Sequence, residues 1–279
     1  MDNLKKYFFA TALAGILYLG TVQISFANLV TNGTFTSFTT APPNPPDYGA
    51  GLDVAAGNTP GNPTYTTGAA LTDWTSTGYN FVFVGGNVDG QTIVGSDGDF
   101  SLWGPASGSN NSLGAPNSGN VIAADGAYEI GPIYQSINVV KNVVYAVTFV
   151  WAGAQQSGYT DATTEAWYVD LGAAGLTNAQ IEAGGKETPV VNNVSEGFTG
   201  WMTETFDFTA TTTGAEDLYF LAYGTPDGEP PFSLLADVSM VAVPEPIASS
   251  FWTLFFGMLI MFGNRAWQRY QKRPSTITA

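Results

Sequence analysis

The chain has 279 residues, 44% of them hydrophobic and 11% charged, with a formal net charge of −15, which supplies apolar material for one large core or two small ones and excludes a disordered chain. It contains neither cysteine nor histidine, which excludes disulfides, thiolate metal sites and cysteine nucleophiles and removes the commonest general base and metal ligand. With 33 Gly, 16 Pro and only 8 Lys and Arg, the composition favours short strands joined by turns over long exposed helices, so the expected class is all-β.

Residues 1–27 read as a signal peptide: Lys5 and Lys6 form the basic end, 7–24 an apolar run, and Ser25-Phe26-Ala27 a small-x-small cleavage site. Signal peptidase would cut between Ala27 and Asn28, leaving Asn28 as the mature start. The alternative is an uncleaved amino-terminal anchor, because the apolar run is long for a signal peptide.

Residues 28–242 form the expected ectodomain. Within it, 41–63 is a long Pro/Gly-rich loop, and strands are expected over 28–35, 80–85, 128–139, 165–171, 201–209, 218–223 and 234–241, with one or two helical turns over 176–183. The clearest strand is the alternation of Tyr145, Val147, Phe149 and Trp151 with Ala146, Thr148, Val150 and Ala152, which places Trp151 in the core. Punctuated strands without crossover helices predict an antiparallel jelly roll or β-sandwich.

Of the 23 acidic residues all but Asp2 lie between 28 and 246, so that segment holds 22 acids against Lys141 and Lys186, a net −20. Such a field repels phosphates and excludes nucleic acid as a partner, while favouring cations, neutral glycans or basic partners. A serine or threonine nucleophile would have only those two lysines as amine partners, so the domain is expected to be non-catalytic.

Several segments together resemble the galactose-binding-domain-like sandwiches: Asn28-Leu29-Val30-Thr31-Asn32-Gly33-Thr34-Phe35, then Trp74, then Tyr134-Gln135-Ser136-Ile137, and finally Pro231-Phe232-Ser233-Leu234-Leu235-Ala236-Asp237-Val238-Ser239. The resemblance implies glycan binding through aromatic faces, for which Trp103, Trp74 and Trp167 are the candidate contacts, Trp103 being the ring expected to be most exposed. It also implies a structural calcium bridging first and last strands, with Asp237 matching the last-strand acid. Thr36 stands where the family carries its opening acid, so half of that pattern is present.

Val243-Pro244-Glu245-Pro246 begins the last segment, 243–279. An apolar stretch at 247–263 follows, roughly 26 Å long as a helix and just sufficient to cross a bilayer. Arg265, Arg269, Lys272 and Arg273 then mark 264–279 as a basic cytoplasmic end. This order resembles the PEP-CTERM sorting signal of Gram-negative bacteria, which implies sorting by an exosortase-like enzyme in cells that make exopolysaccharide; the plain alternative is a carboxy-terminal membrane anchor. The expected protein is thus exported, held at the inner membrane with its ectodomain outside the cytoplasm and then sorted to the cell surface or matrix. It would serve there as a non-catalytic partner of exopolysaccharide that binds glycan weakly, without a cofactor other than the structural calcium. The competing expectation is a carboxylate-dependent polysaccharide-degrading enzyme, a glycosidase or lyase.

Overall fold

The computed structural model describes residues 27–41, 50–52, 69–84, 102–105 and 116–244. Inter-residue contacts divide the chain into two units, Met1–Val243 and Pro244–Ala279. Of the targeting segments, only Ala27, Asn28, Val243 and Pro244 are described, and all four are exposed. The expected signal peptide before them, and Glu245, Pro246, the apolar stretch 247–263 and the basic cluster, lie outside the described residues. Among the described residues no helix is long and apolar enough to cross a membrane.

The described residues build an antiparallel β-sandwich of two six-stranded sheets. Five short strands come first: β1 (Phe38–Thr40), β2 (Ala50–Gly51), β3 (Ala70–Leu71), β4 (Thr75–Ser76) and β5 (Asn80–Phe83). The longer ones are β6 (Val121–Asp125), β7 (Ile133–Val139), β8 (Val144–Gln155), β9 (Thr163–Gly172), β12 (Met202–Thr209), β13 (Gly214–Thr225) and β14 (Pro231–Ala242), with β10 (Lys186–Glu187) and β11 (Val191–Asn193) lying along β9. One sheet runs β10-β9-β13-β7-β4 with β11 also on β9; the other runs β12-β8-β14-β6-β5-β2; β1 and β3 form a separate pair. The long strands alternate between the sheets in chain order, so that each arches over the core before its neighbour in sequence begins.

The period of two in β8 explains the core. Tyr145, Val147, Phe149 and Trp151 are all buried against the opposite sheet, because alternate side chains of a strand project to one face. At the centre stands Phe220, with ring centroids 5.2 Å from Phe149, 6.1 Å from Trp167 and 6.3 Å from Trp74. Polar bonds also cross the core: Trp167 Nε1 donates to the Leu234 carbonyl at 3.1 Å and Ser233 Oγ to the Ala166 carbonyl at 2.8 Å. A second apolar cluster, with Phe81, Phe83, Leu102, Phe232 and Leu234, covers the far face of the β8-containing sheet. On the far face of the other sheet, α1 (Asn178–Gly184) seats Ile181 against Tyr219 and Leu221.

Two expectations are corrected. Residues 28–35 form no strand: Asn32 and Phe35 take positive φ of 49° and 56°, and the segment is held as a loop along β14 by Leu29 N–H to the Met240 carbonyl and Val238 N–H to the Gly33 carbonyl. Within the segment expected to be one long loop, Ala50–Gly51 pairs with β5. Strand β6 was missed because Val-Ile-Ala-Ala-Asp shows no alternation, as suits a strand whose five residues are all buried.

Candidate functional site

Antiparallel pairing brings the start of β5, the end of β6, the end of β8 and the start of β14 to one end of a sheet: Asn80 pairs with Ala124, Phe232 with Asp125, and Pro231 with Gln155. Connections from these strands enclose a cleft of about 290 Å³ lined by Tyr79, Asp125, Ala127, Tyr128, Gln156, Tyr159, Asp227, Gly228 and Pro230. Three tyrosines and two carboxylates therefore converge, and none of the lining residues is basic.

The walls are set by local structure. Asp125 Oδ1 accepts from Ala127 N–H at 2.8 Å and Tyr128 N–H at 3.0 Å, closing the turn after β6. Tyr79 N–H donates to the Glu129 carbonyl at 3.0 Å and Asp125 N–H to the Tyr79 carbonyl at 3.1 Å, so the turn is stitched to the Tyr79 backbone. The turn passes so close to β13 that a Cβ on Gly126 would meet Gly224 N at 2.3 Å, which only glycine allows. The Tyr79 and Tyr128 rings stand 5.5 Å apart at 86°, two walls of a corner. Tyr79 is fixed from behind by Phe81, 4.6 Å away, whereas Tyr128 is 42% exposed.

The third wall hangs on Gln155, which is fully buried at the end of β8. Its Nε2 donates to the Asp161 carbonyl at 2.6 Å and its Oε1 accepts from Glu196 N–H at 2.7 Å. Glu229 Oε2 accepts from Thr160 and Asp161 N–H, each at 3.2 Å. Loops 156–162, 194–199 and 226–230 are thereby held together, and Gln156, Tyr159 and Asp227 keep their places.

The electrostatics are unusual at Asp125. It is only 2% exposed, and its Oδ2 has no hydrogen-bond partner among the described residues. Burial pushes its pKa up to about 6, with Asp227 adding like-charge repulsion against the lowering effect of the Ala127 and Tyr128 amides. Outside the cleft lining, Glu165 on β9 is fully buried and burial pushes it up to about 7, although the Thr163 hydroxyl donates to its Oε1 and the nearby Asn193 side chain also favours the ionised form.

The tryptophans expected to contact glycan are placed differently. Trp167 is fully buried between the sheets, and Trp74 is 5% exposed, packed 5.2 Å from Phe35 with Nε1 donating to the Thr31 and Asn32 carbonyls. Neither offers a ring face to a ligand, because in a sandwich the large flat side chains fill the gap between sheets. The open groove of about 460 Å³ beside Trp74, lined also by Thr31, Asp73 and Gln135, therefore lacks an aromatic platform from that residue. Trp103 is half-buried, and its backbone N–H donates to the Gln155 carbonyl at 2.9 Å, beside the cleft residue Gln156, while its indole Nε1 is buried without a partner among the described residues. No local sequence motif marks the tyrosines of the cleft. Each follows a Gly or Ala at a bend or turn, and only the pairing of strands shows that 79, 128 and 159 meet.

Asp237 lies at a bulge in β14 with φ of 50°, where pairing to β8 shifts register, and its Oδ2 accepts from Asn117 Nδ2. Burial raises its pKa despite that bond. Among the described residues no group of three His, Cys, Asp or Glu is placed to hold a metal. Asp237 and Asn117 together supply fewer than the six oxygens a calcium ion takes, so an ion there would draw the rest from backbone carbonyls.

No protein-family model matches the chain, and no curated protein matches it. Among solved structures, a CBM4 domain is similar over 77% of this chain and 99% of its own, at 14% identity and a TM-score of 0.33. TmCBM61 in complex with β-1,4-galactotriose is similar over 62% of this chain and 90% of its own, at 12% identity and a TM-score of 0.33. The K1 cleaved adhesin domain of Lys-gingipain from Porphyromonas gingivalis W83 is similar over 62% of this chain and 92% of its own, at 12% identity and a TM-score of 0.37.

Proposed function

We propose that this domain is a non-catalytic glycan-binding sandwich whose ligand sits in the cleft between Tyr79, Tyr128 and Tyr159. The observation that carries the reading is the perpendicular Tyr79–Tyr128 corner beside Asp125, Gln156 and Asp227. Sugars present apolar C–H faces that pack on aromatic rings and hydroxyls that pair with carboxylates and amides, and this lining offers both. A cleft with one exposed ring suits weak binding, with strength coming from many copies on a repeating polymer. Titration of the protein with an oligosaccharide panel tests it: saturable binding that Tyr128→Ala weakens supports it, and a flat response across neutral, acidic and amino sugars sinks it.

The address of the protein is a second part of the proposal. The export signal at 1–27 and the sorting tail at 243–279 would display the domain outside the inner membrane, with exopolysaccharide as the available glycan. Intact mass of protein from its native envelope tests this, since retention of residues after Pro246 in the membrane fraction would replace sorting with a simple anchor. The alternative reading, a carboxylate-dependent polysaccharide-degrading enzyme, draws on Asp125 and Asp227 as an acid with raised pKa beside a second carboxyl. Polysaccharide turnover abolished by Asp125→Asn would establish it instead.

A further inference from the structure

We propose that the glycan taken by this cleft carries a protonated primary amine, as in an amino sugar without its N-acetyl group, and that the amine docks between Asp125 and Asp227 against the Tyr79–Tyr128 corner. This rests on the cleft being the glycan site.

Asp125 is the first reason. Its Oδ1 is committed to two backbone amides, its Oδ2 is buried without a donor among the described residues, and the residue is one of those that line the cleft. A buried carboxylate oxygen without a donor, just behind a cavity wall, is stabilised by positive charge that enters the cavity. A sugar hydroxyl would satisfy Oδ2 but leave the charge uncompensated, and that charge is doubled by Asp227 on the facing loop. An ammonium group satisfies the acceptor and neutralises the pair together.

Charge balance is the second reason. Among the described residues no Lys or Arg lines the cleft. The only basic residues between 28 and 246 lie elsewhere: Lys141 is in the β7–β8 turn at the opposite end of these strands, and Lys186 sits over the Phe208 ring at 5.5 Å. The cation must come with the ligand. The Tyr79 and Tyr128 rings, packed edge to face 5.5 Å apart, both line this space, and an aromatic face favours ammonium over a neutral group.

The test compares binding of the β-1,4-linked glucosamine disaccharide with that of its di-N-acetylated form to the full chain, by calorimetry at neutral pH and low salt. The free amine is expected to bind about tenfold more tightly, with Asp227→Asn reducing that preference to less than about threefold. Because a polyanionic surface attracts any cation, the doubly substituted control Glu204→Gln/Asp207→Asn on β12 must keep the preference. Equal binding of both sugars overturns the amine and leaves the glycan site standing. A preference that survives Asp227→Asn, or that falls equally in the β12 control, also overturns the amine. If neither disaccharide binds but another neutral glycan does so in a Tyr128-dependent way, only this inference falls; if no glycan binds, both readings fall.

Discussion

Gln155 Nε2 lies 2.6 Å from the carbonyl oxygen of Asp161, closing a loop over the end of β8 with a side chain that has no exposure to solvent. The same side chain receives Glu196 N–H, so truncation opens two loops at once and leaves buried groups unpaired. Gln155→Ala should lower stability by about 2–4 kcal/mol, roughly one for each lost bond plus the desolvation of what remains. It should weaken ligand binding as well, since Gln156 and Tyr159 are on the released segment. Denaturant unfolding together with ligand titration checks this, and unchanged affinity in a destabilised variant would separate the loops from the site.

Tyr128 offers the opposite separation. Its ring is 42% exposed, so removing it should change stability by less than about 0.5 kcal/mol. Loss of one aromatic face should cost about 0.5–1.5 kcal/mol of binding, a rise in Kd of about twofold to thirteenfold. A full-affinity Tyr128→Ala protein would move the binding surface away from this cleft.

For Trp167 the expectation is purely structural. It is fully buried beside Phe220, with Nε1 bonded across the core to Leu234. Trp167→Ala should destabilise by about 3–5 kcal/mol, and the milder Trp167→Phe, which keeps a ring but leaves the Leu234 carbonyl without its donor, by about 1–3 kcal/mol. At a temperature where Trp167→Phe stays folded, glycan affinity should equal that of the parent chain. A selective loss of affinity would return this residue to the list of ligand contacts.

The contrast between Trp167 and Tyr128 shows what the sequence could convey. Alternation in 145–151 carries enough information to orient a strand, because burial on one face acts at every second residue, and the sandwich follows from several such strands. A ring's exposure depends instead on which strands lie across from it. Trp74 and Trp167, candidate glycan contacts on sequence, lie between the sheets, whereas Tyr79, Tyr128 and Tyr159 meet only because the start of β5 and the ends of β6 and β8 lie side by side. The loop at 28–35 was likewise illegible: its residues favour a strand, but Asn32-Gly33 lets the backbone turn and the pairing with β14 reduces to isolated bonds. Asp237 is placed by a bulge, a feature of register between β8 and β14 that no local motif announces.

Glu165 makes stability depend on pH in a direction opposite to that of a salt-bridged carboxylate. Burial raises its folded-state pKa from 4.5 to about 7. Between those values the folded protein holds a proton that the unfolded chain has released, so stability is fully present below the unfolded pKa and is lost as pH rises through the folded one. The loss, about 3 kcal/mol when complete above pH 7, is the energy of ionising a carboxylate whose Oε2 has no partner among the described residues. Asp125 adds a loss of the same sign between 3.8 and about 6. The unfolding temperature should therefore decline by several degrees from mildly acidic to alkaline pH. Glu165→Gln keeps an oxygen for the Thr163 hydroxyl and removes the charge, so it should raise the unfolding temperature at alkaline pH and bring no gain in acid. Melting curves of the two proteins across this range decide the matter: superimposable pH profiles would mean that Glu165 ionises in the folded protein as freely as in the unfolded chain.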